Sequence, residues 1–188
     1  MSTHRQHIEN HQVYFCTITC YRWLSLFDLS EGYDLVYQWF DHLKSRHCHI
    51  SGYVIMPNHL HALLFPTEGS LNKLVANGKR FMAYGIVDRL VKKGQSEMLN
   101  QLKAGVQAAE IKKGKKHQVF RLSFDARACF DEPMIEQKLD YIHHNPVSGK
   151  WSLVEDYTKY VHSSAGYYQL GMENKYVTHY KELGSYVA

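Results

Sequence analysis

Two histidines that flank a single leucine are the strongest chemical signal in the sequence. His59 and His61 lie within an apolar run that extends from Tyr53 to Phe65. Side chains alternate between the two faces of a β-strand, so both imidazoles should point to one face and Leu60 to the other. Neutral imidazoles are good ligands for divalent metal ions. The pair is a candidate metal site, although a His-x-His triplet also arises by chance on half-exposed strands.

A tyrosine and an asparagine one helical turn apart give the second signal. Tyr141 and Asn145 follow a stretch of helical character that opens near Pro133. Their four-residue spacing places both side chains on one face of a helix. A carboxamide oxygen can complete a metal site, and a phenol can attack a group that the metal polarises. His144 lies near the same face and is a candidate proton shuttle for the phenol, with a surface or capping histidine as the alternative.

Together the two motifs resemble those of the single-tyrosine HUH transposases of insertion sequences, and most closely the REP-associated tyrosine transposases. The resemblance extends over about 13–171. It implies that His59, His61 and Asn145 bind a divalent metal, magnesium or manganese, and that Tyr141 is the nucleophile. It further implies a transposase or endonuclease that cleaves and rejoins single-stranded DNA beside a hairpin through a 5′-phosphotyrosine.

Three other functions fit the same residues. A nucleic-acid-binding module on a ferredoxin-like sheet would bind without metal and would use Tyr141 only structurally. A metal-dependent hydrolase would use activated water and would not need the phenol. A domesticated transposase would nick DNA but no longer move an element. A chelator and a Tyr141→Phe variant separate the first two functions from the transposase, whereas the sequence does not separate the third.

Positive charge is concentrated in one part of the chain. The net charge is only +4, yet 71–121 contains 12 lysines and arginines and three acidic residues. A surface that binds phosphates has this character, and so does an ordinary solvated face. The candidate DNA-binding residues are Lys92, Lys93, Lys112, Lys113, Lys115 and Lys116. They would hold the DNA backbone and would set affinity and salt dependence rather than sequence preference.

The order of predicted elements indicates an α+β fold. A strand over 13–20 precedes a helix over 28–46, a hairpin of strands over 50–56 and 59–65, and a helix that begins at 71, where Ser70 is the expected cap. One or two strands over 118–130 and the Tyr141 helix follow. This order predicts a ferredoxin-like antiparallel sheet with helices mainly on one face. The Tyr141 helix should then cover the face that carries the histidine pair.

Length and composition favour one domain over residues 1–188. The chain is 45% hydrophobic, which suits a globular core without disulfides, and its four cysteines lack metal or redox spacing. We expect a core over about 13–171, a mobile basic insertion over 91–116 and a tail over 172–188. No apolar run reaches membrane-spanning length and the first residues are polar, so we expect a cytoplasmic protein.

The oligomeric state is predicted from the link that precedes the Tyr141 helix. Related insertion-sequence enzymes exchange this helix between two subunits, whereas the REP-associated branch tends to be monomeric. The link over 130–133 is short. It therefore favours a site completed within one chain and a monomer over a dimer.

Overall fold

A four-stranded antiparallel sheet forms the centre of the structure. The structure is a computed structural model and describes residues 10–186. The strands are β1 (Val13–Thr19), β2 (Cys48–Met56), β3 (His59–Pro66) and β4 (Asp125–Cys129). Their order across the sheet is β2-β3-β1-β4, and every neighbouring pair is antiparallel. This arrangement confirms the predicted ferredoxin-like sheet.

Seven α-helices connect and cover these strands within the described residues. They are α1 (Leu26–Leu29), α2 (Tyr33–Ser45), α3 (Leu71–Lys92), α4 (Ser96–Ala104), α5 (Ala108–Ile111), α6 (Glu132–His144) and α7 (Ala165–Leu170). Short 3-10 turns cover Tyr21–Trp23, Asn145–Val147, Tyr157–Lys159 and Tyr180–Tyr186. No helix among residues 10–186 is both long and apolar enough to cross a membrane.

Three sequence predictions need correction in detail. The helix predicted over 28–46 is broken, because Glu31 adopts a left-handed conformation (φ 50°) and α2 begins only after Gly32. Ser70 occupies the N-cap position of α3, but its side chain makes no capping hydrogen bond. In the region 91–116, the helical stretch expected over 98–102 is present within α4 and Leu102 is fully buried, but the remainder, expected to be a loop, also contains α5. Its mobility stays a prediction.

The sheet separates two apolar cores. On one face, Leu60 and Leu64 of β3 pack with residues of α2 and α3, such as Trp39 and Ile86. On the other face, Leu63 and its neighbours pack with α6 and the segments that follow it. All four cysteines are buried and free, as the sequence predicted. Most helices therefore lie on one face, and the second face is left for α6 and the C-terminal region.

The C-terminal region covers the outer edge of β2. The amide of Ile55 donates to the His162 carbonyl at 2.8 Å, and the amide of Ser164 donates to the Tyr53 carbonyl at 3.0 Å. The Tyr160 hydroxyl donates to the Ile55 carbonyl at 2.9 Å. These bonds satisfy backbone groups that an edge strand would otherwise expose. The aromatic C-terminal region thus packs back onto the domain.

Helix α6 packs against β2 at Gly52. The Asp131 carboxylate accepts from the Met134 amide at 2.8 Å and caps the helix, and Pro133 occupies its first turn. A Cβ atom added at Gly52 would overlap Leu139 Cδ2 and would lie 3.4 Å from Ile142 Cδ1. The absent side chain of Gly52 is therefore what allows α6 to reach this depth above the sheet.

We predict that Gly52→Ala displaces α6 and destabilises the protein by about 1–3 kcal/mol, because an extra methyl group in a filled core forces a backbone shift. Chemical denaturation measures the change in unfolding free energy. Gly184→Ala is the matched control, since a Cβ atom there meets no heavy atom within 4 Å. Equal stability of the two variants would show that the Leu139 side chain moves aside without displacing α6.

Candidate active site

The two histidines lie side by side on the face of the sheet that α6 covers. His59 is the first residue of β3, and both rings are buried, with 5% and 6% of each residue exposed. The ring centroids are 4.7 Å apart. The two residues pair with Thr19 and Thr17 of β1. The strand alternation expected from the sequence is therefore present, and both imidazoles face the same side.

Polar neighbours orient both imidazole rings through Nδ1. Asn58 Oδ1 lies 2.6 Å from His59 Nδ1, and Thr17 Oγ1 lies 2.9 Å from His61 Nδ1. The Asn58 amide donates through Nδ2 to the Trp23 carbonyl at 3.1 Å, which leaves its oxygen to face His59. A carboxamide oxygen only accepts, so His59 Nδ1 carries the proton and Nε2 keeps its lone pair. Hydrogen bonds of this kind orient histidine ligands in metal sites.

Burial keeps both imidazoles neutral. It lowers the pKa of His59 to about 4, where Asn145 raises it in part through a hydrogen bond and the charge of Lys150 lowers it further. Burial also lowers the pKa of His61 to about 3, and the neighbouring His59 adds to the effect. A metal ion binds only the neutral form of imidazole. The pair is thus ready to bind a cation throughout the neutral pH range.

The phenol of Tyr141 lies above the histidine pair. Its ring centroid is 5.4 Å from that of His61 and 6.0 Å from that of Phe15. Phe15 in turn stacks on His61 at 5.2 Å with an interplanar angle of 21°. Tyr141 is 53% exposed, in contrast to the buried imidazoles. The Tyr141 side of the site is therefore open to solvent.

Asn145 completes a set of three candidate ligands. It terminates α6 and begins the following 3-10 turn, and its side chain is a hydrogen-bond partner of His59. Two neutral imidazoles and one amide oxygen fit a divalent ion and leave coordination positions for substrate and water. Among residues 10–186, no group of three or more His, Cys, Asp or Glu side chains is arranged to hold a metal. The amide is therefore essential to this candidate site.

His144 contacts residues other than Tyr141. Its Nδ1 atom lies 3.2 Å from an Asp140 carboxylate oxygen, and its ring lies 4.1 Å from that of Tyr157. No hydrogen bond joins it to Tyr141 in the described part of the chain. This geometry gives no support to a proton shuttle, and that role stays a prediction.

The predicted DNA-binding lysines separate into two groups. Lys92 and Lys93 form ion pairs with Asp88 and Glu31 at 2.8 and 2.5 Å, and they line a shallow depression beside Arg89. Lys113, Lys115 and Lys116 instead line a groove of about 1080 Å³ between α3 and the chain that leads into β4. The same groove contains four further cationic residues, namely Lys79, Arg80, Arg121 and Arg127. Lys112 is exposed and does not line either depression.

Other cationic groups near the site were not identified from the sequence. The Lys138 ammonium lies 5.3 Å from the Phe15 ring centroid, one helical turn before Tyr141. Lys150 acts electrostatically on His59. Arg127 pairs with Phe15 across the sheet and so faces the same side as the histidines. The three-residue spacing of Lys138 from Tyr141 could have indicated a cation on the same helix face. The positions of Lys150 and Arg127 depend on how distant parts of the chain come together.

Comparison with solved structures yields a similarity that extends over almost the whole chain. No protein-family model and no curated protein matches the chain. A solved structure described as the REP-associated tyrosine transposase bound to a REP hairpin is 17% identical and superposes with a TM-score of 0.64. The match covers 96% of both chains. The chain thus has the fold of a REP-associated tyrosine transposase over almost its whole length, which confirms at the level of fold the resemblance found from the sequence.

We predict that the metal-free protein loses stability as the pH falls from about 6.5 towards 4. The folded pKa of His143 is lowered to about 4 by burial, as are those of His59 and His61 to about 4 and 3. The unfolded chain then binds protons that the folded chain does not, at a cost of roughly 1.4 kcal/mol per pH unit for each histidine. Urea denaturation with EDTA at several pH values measures the slope.

His143→Gln is the informative variant for this slope. Glutamine can still donate to Ser164, whose hydroxyl lies 2.8 Å from His143 Nε2, but it does not titrate. The slope of unfolding free energy against pH should be smaller than that of wild type by the contribution of about one proton, roughly 1.4 kcal/mol per pH unit. An unchanged slope would mean that His143 is not neutral in the folded protein.

Proposed function

We propose that the protein is a metal-dependent transposase or endonuclease that cleaves and rejoins single-stranded DNA through Tyr141. The observation that carries this proposal is the half-exposed Tyr141 ring, 5.4 Å from His61, above a buried pair of neutral imidazoles. A half-exposed phenol in this position contributes little to the packing of a core. It suits a nucleophile that attacks a phosphate bound at His59, His61 and Asn145.

The residues of this chain divide the reaction between them. The imidazoles and the Asn145 amide would hold magnesium or manganese, which would neutralise charge on the scissile phosphate when bound. The Tyr141 oxygen forms a bond to phosphorus and the bond from phosphorus to the 3′ oxygen breaks. The released electron pair stays on that oxygen, which takes up a proton, while the phenol proton passes to solvent. The reverse steps rejoin a strand without ATP or water.

Single-stranded DNA beside a hairpin is the proposed substrate. The structural neighbour is bound to a REP hairpin, which makes a hairpin the natural probe. The groove lined by Lys113, Lys115 and Lys116 would hold a phosphate backbone without reading its sequence. Tyr141 meets His61 within one chain, which supports a monomer as the functional unit.

A covalent-capture experiment tests the proposal. The protein is incubated with a pool of single-stranded hairpins that have random flanks, with manganese or with EDTA, and then denatured. We expect a protein–DNA adduct only for wild type with metal. Tyr141→Phe and His59→Ala should form no adduct, while Tyr176→Phe, which removes a hydroxyl on the opposite face, should retain it.

Each alternative function gives its own result in this assay. Cleavage that persists in Tyr141→Phe without an adduct indicates a hydrolase that uses water. Binding that is equal with EDTA and with metal, and no cleavage in any condition, indicates a nucleic-acid-binding module. An adduct formed in EDTA contradicts the role given to the metal.

We predict that replacing both Lys115 and Lys116 by glutamine weakens DNA binding and lowers its salt dependence. Each lost phosphate contact on a single strand should reduce the slope of log K against log salt by about 0.7. The matched control is the double variant at Lys92 and Lys93, which are already paired with Asp88 and Glu31. We expect the control to change the slope less. Equal effects at the two sites would show that the groove is not the phosphate-binding surface.

A further inference from the structure

Trp23 is held beside the histidine pair in a conformation that its own chemistry disfavours. Arg22 and Trp23 follow β1, and both have positive φ, 51° and 59°. This left-handed region is costly for side chains other than glycine and persists only where the surroundings impose it. The Tyr21 amide donates to the Val119 carbonyl at 2.7 Å, and the Asn58 side chain donates to the Trp23 carbonyl at 3.1 Å. The surroundings therefore determine where this ring is placed.

The Trp23 ring does not contribute to the core. It is 47% exposed, while the core aromatics Tyr14 and Tyr53 on the other face of the sheet are each 3% exposed. Its centroid lies 5.5 Å from that of His59 at an interplanar angle of 81°. The Arg121 guanidinium lies 4.9 Å from the indole centroid. The site thus presents an accessible indole, with a cation over it, directly beside a candidate metal ligand.

Backbone contacts also hold Arg121 in place. Its amide donates to the Thr19 carbonyl at 2.9 Å, and its own carbonyl accepts from the Lys79 ammonium at 2.6 Å. Arg121 also lines the cationic groove. The Trp23–Arg121 pair therefore lies between the histidine pair and that groove.

Trp23 and the candidate nucleophile contact different members of the histidine pair. Tyr141 contacts His61, whereas Trp23 contacts His59, so the nucleophile and the indole flank opposite members of the histidine pair. In an in-line displacement at phosphorus, the leaving oxygen departs opposite the attacking oxygen. A phosphate bound between Tyr141 and His59 would therefore release its 3′ oxygen on the side of the indole.

We propose that Trp23 and Arg121 form a stacking site for the unpaired base immediately 5′ of the scissile phosphate. This inference rests on the proposed function, because it uses the polarity of Tyr141 attack. Indole and guanidinium planes both stack on nucleobases, and such stacking tolerates any base. The pair would hold the released 3′ end near the phosphotyrosine, where it remains available for rejoining.

The first test uses an oligonucleotide recovered from covalent capture. An abasic position is placed either immediately 5′ or immediately 3′ of the cleaved phosphate, and KM and kcat are measured for wild type and Trp23→Ala. We expect Trp23→Ala to raise KM for the intact substrate roughly tenfold. Trp23→Phe, which keeps an aromatic ring, should have a KM close to that of wild type. With the 5′ abasic substrate the two proteins should differ little, while the 3′ abasic substrate should retain the full difference.

Phe130→Ala is the control for loss of an exposed aromatic, since Phe130 is 75% exposed and lies outside the proposed site. It should leave both constants unchanged. A Trp23 effect that is equal for the two abasic substrates would overturn the assignment of the 5′ base. A fall in kcat alone, with unchanged KM, would show that Trp23 only packs against His59.

The second test needs no cleavage and so separates this inference from the proposed function. A short oligothymidylate is titrated into protein with EDTA, and tryptophan emission is recorded for wild type and Trp23→Phe. Trp39 is buried and the half-buried Trp151 is present in both proteins, so only the difference between the two proteins is assigned to Trp23. We expect quenching that is largely lost in Trp23→Phe even if no DNA is ever cleaved. Equal quenching in both proteins overturns the stacking site, whereas an adduct in wild type would still support the proposed function.

Discussion

The close contact between α6 and β2 is the constraint on which the candidate site depends. Gly52 allows Leu139 and Ile142 to approach the sheet, and Ser164 links His143 to the Tyr53 amide through hydrogen bonds of 2.8 and 2.9 Å. These contacts join the sheet-facing side of the helix to β2 and to Ser164. Because its sheet-facing residues are fixed, the helix must hold its Tyr141 side over the histidines.

The site combines groups that need opposite environments. Imidazole ligands benefit from burial, since a low local dielectric keeps them neutral and strengthens their attraction to a cation. A nucleophile that attacks a polymer must instead be accessible. The fold meets both needs by placing His59 and His61 within the sheet and Tyr141 on the outer part of a covering helix. The nearby cations, Lys138 and Lys150, lie where they can interact with a polyanion but do not supply a metal ligand.

Much of this arrangement could be predicted from short-range periodicity. A period of two places His59 and His61 on one face, and a spacing of four joins Tyr141 to Asn145, because both depend only on local backbone geometry. Trp23 could not be found in this way, since its left-handed backbone is imposed by Asn58 and other residues distant in sequence. The lysines show the same limit. Their number and the local pair of Lys92 with Asp88 are visible in the sequence, but the pairing of Lys93 with Glu31 depends on how α3 packs against the segment before α2.

The register of β3 determines whether both imidazoles face α6. Asp125, Thr17 and His61 form one row across three antiparallel strands, and His59 pairs with Met56 directly beyond the tight turn of the hairpin. A slip of one residue in β3 would turn both imidazoles towards α2 and α3 and bring Leu60 to the opposite face. A single inserted residue in that turn would thus remove both imidazoles from the site, although both histidines would still be present in the sequence. Natural variation should therefore leave this turn at constant length and accumulate insertions elsewhere.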